Sequence, residues 1–345
     1  MAACKRLVRV ARLIRERDRN EPEPQLTPSL VEQWQPDDPL DAHRANYHLE
    51  LAESHRRLGE TEAMASNYRA ALTFNSNLPE AHHYLAKLRM PGDDYRVWLE
   101  RLYVSLVPET VVEIGVGQGE SLALLRPPTI AIGIDPAANV VVPFKAKTHI
   151  FAETSDEFFA QRRTDKLLAG RPLSIGFIDG LHLYEQVLRD FIYLEACCGP
   201  RSVILFHDTV PLNQTVQSRI RKTLFYTGDV WKTVLCLKHY REDLDIFTIA
   251  APLSGLTVVT GLNPKSRVLT RNYEEAVARF IDLPFSEIES DLDTTLNLVP
   301  NDWRIVRARL EARGVFPDRV RRQRTSPKFW MANLRDFYRT ISGAN

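Results

Sequence analysis

The spacing of apolar positions changes along the chain, and each change marks a segment. In residues 1–20, Leu7, Val10, Ala11 and Ile14 recur at i, i+3, i+4 and i+7, which predicts a helix. Pro22, Pro24, Pro28, Pro36 and Pro39 then fall among polar residues, as in a linker or an extended surface segment. Residues 42–90 are strongly helical in pattern. From about residue 95, short runs rich in β-branched side chains alternate with helical stretches. They predict strands over Thr110–Ile114, Ile130–Ile134, His149–Phe151, Leu173–Ile178, Ser202–Phe206, Asp245–Ala250 and Leu256–Thr260. Strands alternating with helices imply a parallel sheet covered on both faces. The last two runs are close enough in sequence for an antiparallel hairpin at one edge. Residues 272–345 are helical and polar. The expected fold is α/β: a doubly wound, mostly parallel seven-stranded sheet with an antiparallel edge hairpin, preceded by a helical cap and followed by C-terminal helices.

Four segments follow from this pattern: a basic helix and Pro-rich linker over 1–40, a helical segment over 41–92, a ligand-binding α/β domain over 93–268, and a C-terminal extension over 269–345. Within the second, Tyr47 to Leu58, Gly59, Tyr68, Ala71-Leu72 and Pro79 resemble a tetratricopeptide repeat. His48 stands where an aromatic is usual and Ser76 where proline is usual. One repeat and a following helix rarely stand alone, so the segment is expected to cap the next domain, and a peptide-binding role is the weaker alternative.

Charge changes the picture only when it is divided. Lysine and arginine total 45 against 44 acidic residues, a net charge of +1. Residues 1–20 and 317–345 each hold seven basic and two acidic side chains, so two ends of +5 flank a middle of −9. Hydrophobic residues make up 44% and charged residues 26%, which excludes a disordered or collagen-like chain. No apolar run approaches the ~18–20 residues of a membrane helix, and arginines break the N-terminal apolar stretch as no secretory signal does. The basic ends are candidates for docking to a protein partner, a second copy or an anionic membrane surface. The acidic middle would repel phosphates, and no N-P-P-Y-like base-reading motif is present, so nucleic acid is not the expected partner. Cys4, Cys197, Cys198 and Cys236 have neither disulfide-scaffold nor metal-finger spacing. A reducing, cytoplasmic setting is expected.

The sharpest local feature is Val111-Val112-Glu113-Ile114-Gly115-Val116-Gly117-Gln118-Gly119-Glu120-Ser121. An apolar strand ends, three glycines alternate, and a helix is expected to begin. Glycines there allow tight turning and close approach of backbone to a ligand. In an open parallel sheet the crevice beyond the strand carboxyl ends is the usual ligand site. The G-x-G-x-G spacing differs from the G-x-G-x-x-G of dinucleotide binders, and Glu113 would oppose a pyrophosphate while suiting a cationic ligand. That disfavours a nicotinamide oxidoreductase. Asp135, ending the second strand, is placed to accept both ribose hydroxyls. Ser155, just past the third strand, is placed to fix an adenine edge.

Glu113-x-Gly115-x-Gly117-x-Gly119 with Asp135 resembles the first two motifs of class I S-adenosylmethionine-dependent methyltransferases, which have a Rossmann-like sheet. Asp179-Gly180-Leu181-His182-Leu183-Tyr184-Glu185 and His207-Asp208-Thr209 are similar to a small-molecule subfamily with D-G-x-H-x-Y-E after strand four and H-D-T or D-D after strand five. The resemblance covers about residues 95–265. It implies S-adenosylmethionine as cofactor, held by Glu113, Gly115, Gly117, Gly119, Asp135, Ser155 and Asp179, and an oxygen acceptor on a small molecule or glycan. It also implies Asp179 and Asp208 as oxygen ligands of a divalent cation such as magnesium. The chain departs from the double-acid form, since His207 replaces the first acid. Histidine suits general-base duty instead, with Asp208 orienting it. His182 is a further catalytic candidate or a cap for the helix near Tyr184. The reading from a different class is an interaction protein that uses this fold and its helical cap as a docking platform.

Overall fold

The computed structural model describes residues 38–161 and 164–317. The expected basic helix, most of the Pro-rich segment and the basic tail lie outside the described residues.

Helices α1 (Pro39–Leu58) and α2 (Thr61–Phe74) pack against each other, and α3 (Pro79–Arg89) follows. Gly59 ends α1 at φ +74°, the left-handed conformation that glycine adopts without a Cβ clash. The seam uses small residues against one large ring: Ala52, Ala65, Ala81 and Tyr68 are buried together, and Tyr68 donates to Glu53. Helix α3 passes its other side to the body of the protein, where Ala86 packs against Val216 and Phe225.

Helix α4 (Tyr95–Leu106) is capped by Asp94, whose carboxylate accepts from the amides of Arg96 and Val97. After it come β1 (Thr110–Ile114), β2 (Ile130–Ile134), β3 (Lys147–Phe151), helix α5 (Ser155–Gln161), β4 (Leu173–Ile178), helix α6 (Tyr184–Glu195) and β5 (Cys198–His207). Helix α7 (Trp231–Tyr240), β6 (Asp245–Ile249) and β7 (Leu256–Thr260) complete the expected set. The sheet has eight strands in the order β3-β2-β1-β4-β5-β7-β6-β8. The first five are parallel, and β7 runs antiparallel to β5 and β6. β1 and β4 neighbour each other although far apart in sequence, so the strand order reverses there and opens a crevice above their carboxyl ends.

Two features differ from the sequence expectation. β8 (Leu298–Val299) adds in parallel to β6, so the hairpin is not the edge. Two residues give no period to read, whereas the open backbone of β6 provides amides that Asn297 and Val299 satisfy. The glycine loop is followed by a single 3₁₀ turn, Leu122–Leu124, and not by an α-helix. Pro127 and Pro128 stop it, because a proline inside a helix has no amide to donate and clashes with the preceding turn.

Both sheet faces are covered. Phe158, Phe159, Phe191, Phe206 and Trp231 fill one side, under α5, α6 and α7. Trp98, Leu102, Phe177, Leu205 and Phe247 fill the other, under α4 and the C-terminal helix α8 (Trp303–Ala312). No helix among the described residues is long and apolar enough to cross a membrane.

Candidate active site

The glycine loop is shaped by its neighbours. Gly115 has φ +87°, and a Cβ there would lie 2.0 Å from the carbonyl oxygen of Asp179. Glycine is thus the condition for β1 and β4 to end side by side. Gly117 (φ +53°) faces open space, while Gly119 lies under Phe144 and Val140. The Asp135 carboxylate braces the loop. Its Oδ2 accepts from the amides of Val116 and Gly117, both at 2.8 Å, and its Oδ1 accepts from Ala137 at 2.7 Å. A carboxylate oxygen has two lone-pair sites, so only Oδ1 has one to spare. Asp135 thus keeps one open acceptor site, fewer than the two needed for the expected pair of ribose hydroxyls.

Glu113 is corrected more strongly. Its side chain is 1% exposed and accepts from the Ser121 hydroxyl, while Oε2 has no partner. Burial pushes its pKa well above the ordinary carboxylate range, against the smaller opposing effect of Ser121. The buried carboxyl is engaged by Ser121 behind the glycine loop and is not presented to the crevice. Ser155 is likewise not presented to the crevice: it is buried at the start of α5 and donates to Asp190 at 2.6 Å. Its hydroxyl ties the start of α5 to α6 through Asp190.

Asp190, 1% exposed, also accepts from Gln186 at 3.0 Å. Burial first, and Asp156 second, raise its pKa to about 7. A carboxyl whose folded pKa is raised stabilises the fold fully at low pH and loses that contribution as pH rises through about 7. Asp190→Asn is therefore expected to gain on the wild type between pH 4 and 8 by up to about 4 kcal/mol, the worth of some three pKa units. Denaturant melts at several pH values check this; parallel pH curves for the two proteins contradict it.

The strand ends bring four titratable groups together. Asp179 follows β4, and its amide donates to the Ile114 carbonyl at 2.8 Å. His207 closes β5; its Nδ1 lies 3.2 Å from Asp179 Oδ1, and its Nε2 lies 3.4 Å from the Ser254 hydroxyl. His182 sits between the acids, Nε2 at 3.3 Å from Asp179 and Nδ1 at 3.3 Å from Asp208 Oδ2. The second approach is misaligned, and Nδ1 is buried with no hydrogen-bond partner. His182 and Asp208 both hold positive φ, +61° and +57°, a strained conformation that gathers at functional sites. Asp179, His182 and Asp208 each offer a donor atom within 4.8 Å of one another.

The charges compensate. Burial works to raise the Asp179 and Asp208 carboxyls, but the two imidazoles outweigh it and hold both below the usual range. Burial works to lower the histidines, and the carboxylates reverse it, raising His182 and, far more, His207.

His182 does not cap α6. Asp229, fully buried, does so by accepting from the Tyr184 amide at 2.8 Å, and it is itself held by Arg219 and Lys232. Trp231 is buried and donates to Gln217. Sequence reasoning missed Tyr95, whose ring lies 4.0 Å from that of His207, and Tyr226, stacked on His182 at 5.8 Å and 11°. Neither lies in a motif; only folding brings them in. Asp229 had a signal only through resemblance, since Gly228-Asp229-Val230-Trp231-Lys232 is similar to the run before the last two strands in the small-molecule subfamily.

Residues 112–209 match a family described as a methyltransferase domain. That stretch holds the glycine loop, Asp135, Asp179, His182, His207 and Asp208. None of the curated proteins compared with the chain matches it. Similar solved structures include an O-methyltransferase from Streptomyces achromogenes involved in tomaymycin synthesis, in complex with S-adenosylmethionine, at 16% identity and a TM-score of 0.36 over 48% of this chain and 78% of that one. Another is an O-methyltransferase from Bacillus cereus in complex with S-adenosylhomocysteine, at 13% identity and a TM-score of 0.34 over 54% of this chain and 91% of that one. A Podospora anserina methyltransferase bound to S-adenosylhomocysteine shares 13% identity at a TM-score of 0.35, over 52% of this chain and 85% of that one.

Proposed function

We propose that the protein is an S-adenosylmethionine-dependent methyltransferase acting on a hydroxyl of a small molecule or sugar. The observation that carries this is the Asp179–His182–His207–Asp208 cluster standing beside the glycine loop at the crevice, within the stretch that matches a methyltransferase domain. The residues fit the cofactor: Gly117 leaves open space above the loop, and Asp135 keeps one acceptor site on Oδ1. When bound, S-adenosylmethionine supplies a methyl group already activated on sulfur, so placing the acceptor in line and taking its proton is what remains for the protein.

His182 suits the proton transfer better than His207. Both ring nitrogens of His207 are engaged in hydrogen bonds, while Nδ1 of His182 approaches Asp208 Oδ2 at 3.3 Å without an aligned hydrogen bond. In this reading Asp179 orients His182, and His207 balances the two carboxylates.

A second reading is favoured by the donor set. Asp179, His182 and Asp208 would hold a divalent cation, which lowers the pKa of a bound hydroxyl. An imidazole among the donors suits manganese or zinc better than magnesium, which prefers oxygen alone.

Calorimetry with S-adenosylmethionine tests the cofactor. The wild type is expected to bind it, and Asp135→Ala to bind at least tenfold more weakly with the glycine loop unbraced. Absence of binding to the wild type overturns the reading.

A further inference from the structure

The segment 211–229 joins β5 to α7 and has two unlike attachments. Inward, Tyr226 stacks on His182, and the Asp229 amide donates to the His182 carbonyl at 3.2 Å. Gly228 makes that approach possible, since a Cβ there would lie 2.0 Å from the same carbonyl oxygen. Outward, the preceding residue, Phe225, is buried against Ala86 of α3 and Val216. The His82 ring stacks on it at 5.3 Å and 13°, and His83 meets its edge at 5.7 Å. The Leu224 amide donates to Asn77 Oδ1 at 2.8 Å, just before α3 begins. Leu212, at the start of the segment, packs on the α1–α3 cluster as well.

We infer that the three-helix cap is a working wall of the catalytic site: Asn77 and Phe225 are positioning residues that hold segment 211–229 so that Tyr226 keeps the His182 ring in place. The inference rests on the methyltransferase reading for the purpose of His182, but not for the link itself. Phe225 and Tyr226 are adjacent and face opposite ways, so a shift of Phe225 out of the cap moves Tyr226 off His182. Core packing resists such continuous deformation. The face of α3 that carries His82 and His83 meets the protein's own segment at Phe225.

The full-length chain is tested by hydrogen exchange and by the proton resonances of the His182 ring, assigned with His182→Gln. In Asn77→Ala and Phe225→Ala, the Asp229 and Tyr184 amides are expected to exchange at least tenfold faster while β1 and β4 amides keep their wild-type rates. The His182 ring protons should lose the shift imposed by the Tyr226 ring. Asn77→Asp, which keeps the accepting oxygen, and Phe225→Leu, which keeps most of the volume, should restore both readouts. Leu58→Ala, on an exposed part of the cap, should change neither. Unchanged exchange at Asp229 and Tyr184, or equal acceleration in β1 and β4, overturns the proposal. A calorimetric titration of the same samples with S-adenosylmethionine separates the two ideas: wild type that binds no cofactor sinks the methyltransferase reading and leaves the link standing.

Discussion

Gly115→Ala is expected to abolish detectable S-adenosylmethionine binding and to lower thermal stability, whereas Gly117→Ala should impair binding with a smaller loss of stability. The two glycines carry positive φ and would each cost about 1–2 kcal/mol in the left-handed conformation. Their surroundings set them apart. A methyl at Gly115 would stand 2.0 Å from the Asp179 carbonyl oxygen and 2.4 Å from its carbon, both backbone atoms. Nothing flexible can give way, so the ends of β1 and β4 must part. That displaces Asp179, the residue that touches both histidines, together with the loop that Asp135 braces. A methyl at Gly117 meets nothing within 4 Å, so it intrudes only on what binds above the loop. Calorimetric cofactor titration and thermal melts on the two variants check the contrast. Equal stability losses would mean that the strand ends yield more easily than this geometry allows.

The parts of the fold governed by short-range pattern were legible in the sequence. All seven expected strands occur, because the centre of each is a run of β-branched or apolar residues, although β3 and β5 start earlier, at Lys147 and Cys198, than the expected His149 and Ser202. Glycine loop, Asp135, Asp179, His182, His207 and Asp208 gather at one crevice, as strand-end residues of neighbouring parallel strands must. What was not legible depends on three-dimensional partners. Pro127-Pro128 shortened the crossover helix to one turn, and an open strand edge recruited Leu298–Val299. Glu113 and Ser155 look like ligand residues in sequence, but burial and a local hydrogen bond engage each within the protein. Tyr95, Tyr226 and Phe225 carry no motif, and only the paths of α4 and of segment 211–229 bring them to the site.

His182→Ala is expected to lower turnover by about 10²–10⁴-fold, the usual worth of a general base, with cofactor affinity within twofold of wild type. That is about 3–5 kcal/mol of transition-state stabilisation. His207→Asn should cost less than His182→Ala, since His207 has partners on both ring nitrogens and serves as a counter-charge. The pH dependence follows from the sign of the shift. Burial opposes the charged imidazole of His182, but Asp208 and Asp179 overcome it and raise the pKa above 6.5. A base works in its neutral form, so the rate should climb with pH on the alkaline side of 6.5. Asp179→Asn removes one of the raising charges and should move that limb toward lower pH. His182→Ala should remove the limb altogether. Dialysis against a chelator decides between the two roles open to this side chain. Turnover that survives chelation keeps His182 as the base. Turnover that is lost, and returns with manganese but not magnesium, makes it a ligand beside Asp179 and Asp208, and the alkaline limb would then belong to the acceptor hydroxyl.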